Sequence, residues 1–351
     1  MTAFLPIVRS VTLDGFAALC REHGLNAQAL LRQVGLHPRS LLDPQTPLAA
    51  EAVHRLLETS ARASGLSDFG LRLAARRSFA SLGPVSLLIK GQNSVGDALH
   101  TLLGYLRLLN PSLVASLVPR GGAVVLQEEL AGVGAQAAQS IELALGIMHT
   151  TLRELLGRRW QPVSVHFQHA APDSRGGHEK FFGCRVRFRD GFNGIALRPA
   201  DLQAQPEGGD PGLARLARQV LDGALESAQG PAAVVRQLVM ALLPGGGCTA
   251  ALVARHLGVD RRTLHRHLAA QGESFSSLLQ GLRCEWVVKH LRHGQLPLAD
   301  CATLLGFSSQ SAFAYWFRCQ FGCSVSRWRQ GEACAPPSAG ATAAAPAQTA
   351  R

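Results

Sequence analysis

Two short stretches near the C-terminal end concentrate side chains able to hydrogen-bond to base edges or to anions. In the first, Arg261, Arg262, His265 and Arg266 surround Leu264 and Leu268. Residues four apart share one face of a helix, so the two leucines define an inward side and the four donors an outward one. In the second, Phe313 and Phe317 repeat that spacing and leave Gln310, Ser311, Ala314, Tyr315 and Arg318 facing away from a core. Arg and Gln make bidentate contacts to base edges more readily than other side chains, and Arg also pairs with phosphate. Other candidates carry less. His166 and His169 lie three apart, so on a strand they point to opposite faces and do not chelate one ion. Asp173, His178 and Glu179, beside Gly176 and Gly177, read as a polar cluster on a surface loop. The eight cysteines include no C-x-x-C pair, and most of them read as reduced, buried filler. The N-terminal region shows no Gly-rich phosphate loop and no G-x-S-x-G elbow. No metal and no cofactor is expected.

The elements that position the donors are written twice. Ala254 is followed four residues later by Gly258, and Ala302 four residues later by Gly306. The small residue lets a second helix cross close to the first, and the glycine permits the tight turn between them. An apolar residue and a capping residue follow each glycine, Val259-Asp260 and Phe307-Ser308. The two copies are 48 residues apart. Phe275, Leu278, Leu279, Leu282, Trp286, Val287 and Leu291 lie between them at helical spacing and predict a helix over 275–293, about 28 Å long at 1.5 Å per residue. Successive major-groove faces on one side of B-DNA lie ~34 Å apart. A spacer of this size suits two reading helices on one duplex, about one turn apart.

Charge agrees with that placement. The 351 residues carry a net +11. Residues 231–331 hold eleven Lys/Arg against four Asp/Glu, whereas 1–230 hold twenty-three against nineteen, so the C-terminal third is the basic part. A hydrophobic content of 47% excludes a wholly disordered chain. No apolar run reaches ~18 residues and the N-terminus lacks a signal-peptide pattern, which predicts a cytoplasmic protein without a membrane span.

Breaker clusters at 205–212, 230–231 and 244–247 divide the chain. The predicted fold class is multidomain: an α+β domain over 1–205, a linker over 206–230, an all-α domain over 231–331 with two helix-turn-helix motifs joined by a linker helix, and a disordered Ala/Pro-rich tail over 332–351. In the α+β domain, 48–63 and 95–109 have helical periodicity, while 123–126 and 163–167 read as strands. Residues 180–184 are strand-like and apolar. Within the linker, Leu213, Leu216, Val220, Leu221 and Leu225 predict a connecting helix.

At these residues the chain resembles the AraC/XylS family of bacterial transcription regulators. The resemblance rests on GVDRRTLHRHL from Gly258, on Arg283, Glu285 and Leu291 in the spacer, and on LLGFSSQSAFAYWFRCQFG from Leu304 to Gly322, ending at Trp328-Arg329. A looser likeness over about 30–225, carried by LLRQVGL at Leu30, ALHTLLGYLRLL at Ala98 and EKFFGCRVRF at Glu179, points to that family's arabinose-binding-type effector and dimerisation domain. The resemblance implies that Arg262, His265 and Arg266 enter one major groove and Gln310, Ser311 and Tyr315 the next, with Arg261, Ser309 and Arg318 on phosphate. Its implied partners are promoter DNA, a small-molecule effector, RNA polymerase and a second copy of the chain. Three positions depart from the family pattern: Val325 replaces a Pro, Tyr315 a polar or basic reader, and Cys301 an Ile. The alternative from another class is a DNA-modifying or repair enzyme that carries the same DNA-binding module and uses Cys20 or Cys184 as nucleophile. A non-specific architectural protein is a third reading.

Overall fold

The computed structural model describes residues 7–131, 137–228, 231–243, 248–257, 259–270, 272–291 and 296–330. The chain divides into two compact units, Met1–Phe275 and Ser276–Arg351. The expected disordered tail and the glycine run of the 244–247 breaker lie outside the described residues.

The first unit opens with β1 (Ile7–Arg9), α1 (Phe16–Glu22), α2 (Ala27–Gln33) and β2 (Pro47–Ala49), in which β1 and β2 pair antiparallel. α3 (Ala50–Ser64), α4 (Phe69–Ala74), α5 (Pro84–Lys90) and α6 (Val95–Leu109) follow. The predicted periodicity over 95–109 coincides with α6, which Ser94 caps by accepting from the Asp97 backbone N–H. Next come β3 (Leu113–Arg120), β4 (Ala123–Leu130), α7 (Ala138–Leu156), β5 (Ser164–His166), α8 (Gly176–Phe182), β6 (Val186–Arg187), β7 (Gly194–Leu197) and α9 (Pro199–Gln203). The five strands from β3 to β7 form one sheet in the order β3-β4-β7-β5-β6, antiparallel except for β5 with β6.

α7 is the hub. Ile141, Ala144, Leu145, Met148, Leu152 and Leu155 join one core with the sheet and with α5 and α6, while Leu143 joins a second core with α1 to α4. Two glycines let α4 cross α7 at close range. A Cβ on Gly70 would lie 2.1 Å from the Gln139 carbonyl oxygen, and one on Gly146 would lie 2.6 Å from Ala74 Cβ. The Gln139 side chain reinforces the crossing by accepting from the Gly70 backbone N–H at 2.8 Å.

Two expectations are corrected here, and a third element takes a definite face. Residues 180–182 are the end of a helix and not a strand, because α8 runs to Phe182 and stops at Gly183, whose φ of 67° ends it. His178 is fully buried and not on a surface loop; its Nε2 meets Glu142 Oε1 at 2.8 Å. The predicted connecting helix exists as α10 (Pro211–Ala228), but its inward residues are Ala214, Ala217 and Leu221, which join the main core, with Ala214 against Gly91 of the α5 C-terminus. Leu216 and Val220 are 61% and 63% exposed. The small alanines allow close packing beside Leu221, so Leu216 and Val220 face outward.

α11 (Pro231–Leu242), α12 (Ala250–His256) and α13 (Arg261–Ala269) complete the unit, with α11 packed on both β2 and α13. The second unit contains α14 (Phe275–Leu291), α15 (Leu298–Leu304), α16 (Gln310–Phe321) and α17 (Val325–Arg329). The predicted spacer helix is therefore observed over 275–291; positions 292–295 are outside the described residues. The core of this unit is aromatic, with Phe313 and Phe317 fully buried and Phe307, Trp316, Phe321 and Trp328 in contact around them.

Replacing Gly70 with Ala pushes a methyl into the α7 backbone, where no side chain can move aside. Gly70→Ala is expected to destabilise the first unit by about 1–3 kcal/mol or more, seen as a lower midpoint in urea unfolding followed by far-UV circular dichroism. An unchanged midpoint would contradict the close crossing.

Candidate nucleic-acid interface and effector cavity

Both helix pairs close their turns with the same hydrogen bond. The Val259 N–H donates to the Ala254 carbonyl at 3.0 Å, and the Phe307 N–H donates to the Ala302 carbonyl at 2.8 Å. Each bond spans five residues and ties down a helix C-terminus. Gly306 has φ 69°, the left-handed geometry that such a stop requires; its counterpart Gly258 is outside the described residues. Ala254 and Ala302 are both buried, as the close crossing demands.

The caps differ between copies. Asp260 caps α13, accepting from the Thr263 backbone N–H at 2.7 Å and the Thr263 hydroxyl at 3.0 Å. These bonds hold its carboxyl below the usual range. In the second copy the cap is Ser309 and not Ser308, since Ser309 Oγ accepts from the Ala312 N–H at 3.1 Å. The second turn is one residue longer, which accommodates the Phe307 ring against Phe313 and Trp316.

Leu264 and Leu268 are fully buried, so Arg261, Arg262, His265 and Arg266 are all exposed along one side of α13. Arg261 Nε reaches His265 Nε2 at 3.5 Å. On α16, Phe313 and Phe317 are fully buried while Ser309, Gln310, Ser311, Tyr315 and Arg318 are exposed, Tyr315 at 70%. Trp316 belongs to the core, and its indole N–H donates to Gln280 Oε1 on α14. The turn before α16 is clamped by Arg283 of α14, whose Nε donates to the Leu305 carbonyl at 2.9 Å and whose guanidinium lies 4.2 Å from the Phe307 ring centroid. A cation on the carbonyls ending α15 complements that helix terminus.

Within the first unit a cavity of about 270 Å³ lies among Val53, Leu57, Leu82, Leu106, Leu143 and Met148, with Arg9, His54, Arg77 and Glu128 also in its wall. Glu128 is 1% exposed and neither carboxylate oxygen has a hydrogen-bond partner. Burial pushes the pKa of the Glu128 carboxyl up to about 8. His54 Nδ1 meets Ser140 Oγ at 2.7 Å, its Nε2 has no partner, and burial pushes the imidazole down to about 4. Neither Glu128 nor His54 stands out in the sequence: Glu128 sits in a charged strand end, and only tertiary packing shows that it points inward.

Two other polar groupings appear. Glu142, raised by desolvation against the opposing pull of His178, is the buried acceptor for His178, with His169 Nε2 at 3.5 Å. His166 Nδ1 meets Asp190 Oδ2 at 2.7 Å and its Nε2 meets Ser164 Oγ at 2.8 Å. That is the order of a nucleophile, base and orienting acid. Ser164, however, lies within β5 in register with Ala196, without the sharp turn that presents a nucleophile. Among the described residues no group of three or more His, Cys, Asp or Glu is arranged to hold a metal ion. Cys20 and Cys184 are both pushed up to about 11, chiefly by burial, which suppresses the thiolate a nucleophile needs. Among the described residues Cys20 and Cys301 are buried thiols, Cys319 is exposed and Cys323 is disulfide-bonded.

Comparison with known proteins decides the family. Residues 24–205 match the arabinose-binding domain of AraC transcription regulators, and residues 253–331 match a helix-turn-helix domain. The chain belongs to the AraC family of transcription regulators. It is 29% identical over 333 residues to the HTH-type transcriptional regulator VirS of Mycobacterium tuberculosis, covering 92% of this chain and 96% of that one. It is 26% identical to the ornithine utilization regulator of Pseudomonas aeruginosa, covering 89% and 93%. The crystal structure of the transcriptional regulator CdpR from Pseudomonas aeruginosa aligns over 87% of this chain and 96% of that one at 19% identity and a TM-score of 0.44. An AraC-type regulator thus combines an N-terminal effector-binding domain with a helix-turn-helix region, and the enzyme alternative finds no support among the relatives. No helix among the described residues is long and apolar enough to cross a membrane.

The cap assignment is testable. Ser309→Ala removes the side-chain acceptor that starts α16 and is expected to cost about 1 kcal/mol, read as a lower thermal midpoint of the full chain. Ser308→Ala should leave that midpoint within a few tenths of a kcal/mol; the reverse ranking would return the cap to Ser308.

Proposed function

We propose that this AraC-family regulator binds promoter DNA sequence-specifically through two adjacent major grooves. Arg262, His265 and Arg266 read bases in one groove and Gln310, Ser311 and Tyr315 in the next, while Arg261, Ser309 and Arg318 hold phosphate. The observation that carries this reading is the pair of exposed polar faces, each opposite two buried residues at four-residue spacing. The spacer helix α14 has 17 residues, about 26 Å at 1.5 Å per residue.

The domains proposed are the effector and dimerisation domain over 1–205, a linker over 206–230, and the DNA-binding domain over 231–331. The chain acts as a homodimer in the cytoplasm, and a bound dimer recruits RNA polymerase. A small effector shifts the balance between arrangements of the DNA-binding domains by binding one arrangement more tightly. This reading requires no catalytic step.

Footprinting on the chain's own upstream region tests it, with protection of two adjacent major grooves expected. Arg266→Ala should cost about 1–3 kcal/mol and relax preference at one base position, whereas Arg318→Ala should weaken binding to all sequences alike and lower the salt slope by about one. Two helix-forming residues inserted between Arg283 and Lys289 should turn the second reader by roughly 200° and abolish specific binding. An unchanged footprint in the insertion variant would mean that the two copies act independently. Equal affinity for unrelated duplexes at matched salt would favour the architectural reading.

A further inference from the structure

We propose that the cavity of the first unit binds an aliphatic primary amine, its ammonium paired with the Glu128 carboxyl and its hydrocarbon against Leu106, Leu143 and Met148. The proposal rests on the reading of this domain as an effector-binding one and names the ligand chemistry.

Glu128 is buried at a cost. A buried carboxyl with no hydrogen-bond partner is destabilising, and protein interiors seldom carry one without a use. Both oxygens of Glu128 lack a partner, and His54 Nε2 in the same wall lacks one as well. By contrast the nearby buried carboxyl of Glu142 is matched by His178, so the fold pairs such groups where it can.

Size and lining then restrict the occupant. An apolar cavity of about 150 Å³ holds benzene, and this one, at about 270 Å³, has room for a molecule roughly twice that size. Its wall is chiefly aliphatic, which selects a hydrocarbon body. A cationic head satisfies the orphan carboxyl most strongly, because a charge-assisted hydrogen bond in a low-dielectric site outweighs a neutral one. The wall's own cations are otherwise engaged. Arg9 donates to Gln45, and Arg77 donates to Ser81 at 3.0 Å and feels Asp14.

The titratable groups in the wall are Arg9, His54, Arg77 and Glu128. Arg77 stays charged below about 10 and His54 stays neutral above about 4, so between pH 6.5 and 8.5 Glu128 is the one that changes, ionising around 8. Amine affinity therefore rises with pH through that window, while a neutral ligand accepting from the protonated acid loses affinity. The unliganded protein behaves oppositely to an amine complex. A carboxyl raised in the folded state stabilises the fold least at high pH, so stability falls as pH climbs from about 4.5 towards 8.

Titration calorimetry of the full chain without DNA, using octylammonium, octan-1-ol and octanoate below their micelle concentrations, tests the proposal. Octylammonium is expected to bind at least tenfold more tightly than the other two, and its affinity to rise roughly tenfold from about pH 6.5 to about pH 8.5. Glu128→Gln and Glu128→Leu should both lose that binding. Glu128→Leu should also raise the thermal midpoint of the unliganded protein, which shows that the variant folds. Preference for octanoate or octanol, undiminished octylammonium binding in Glu128→Gln, no binding to the wild-type chain, or a lowered midpoint in Glu128→Leu would each overturn the proposal. Because no DNA is present, amine binding without any operator footprint would overturn the regulator reading alone; a normal footprint without amine binding would overturn this inference alone.

Discussion

Two pairs of buried residues govern the exposed polar faces of α13 and α16. Leu264 with Leu268 and Phe313 with Phe317 lie four apart and are fully inaccessible. A helix that commits one stripe so completely to the interior has no freedom to rotate, and the opposite stripe must meet solvent or a partner. On α13 that stripe carries three arginines and a histidine; on α16 it carries Gln310, Ser311, Tyr315 and Arg318. The apolar anchors also set how well the donors are aimed. Arg283, stacked on Phe307 and bonded to the Leu305 carbonyl, holds the turn from which α16 departs. It touches the turn before α16, and that turn sets where α16 departs.

The first unit shows how a core can keep polar groups. Glu142 is buried on the hub helix α7 but meets His178, with His169 close by. Glu128 is buried on β4 with neither oxygen satisfied. Both carboxyls are raised by desolvation, yet only the first has an internal opposing charge. A paired carboxyl cements α7 to α8, whereas an unpaired one beside a cavity stores a cost that a ligand can relieve. That is the usual relation between a binding site and stability: the site is less stable than the same space filled by hydrocarbon.

Local spacing made much of the C-terminal region legible. The Ala-to-Gly interval, the apolar pairs and the cap at Asp260 all appear as read, because each depends on residues within one or two helical turns. The second cap moved by one residue, from Ser308 to Ser309, because the Phe307 ring needs room against Phe313 and Trp316, a packing fact that neighbouring letters do not carry. Residues 180–184 misled for a similar reason. Two phenylalanines beside a lysine look strand-like in isolation, but they close a helix that begins at Gly176 and ends at Gly183.

The sequence by itself determined the repeated helix-turn-helix and the outward placement of its basic and amide side chains, since these follow from periodicity and capping chemistry. Tertiary structure alone decided which polar residues became buried and whether each found a partner. His178 and Glu142 did, Glu128 did not, and α10 turned Ala214, Ala217 and Leu221 inward while Leu216 and Val220 stayed exposed. The physical reason is that hydrogen-bond satisfaction and close packing are settled between elements distant along the chain, where the cost of an unpaired carboxyl depends on everything around it and not on its neighbours in sequence.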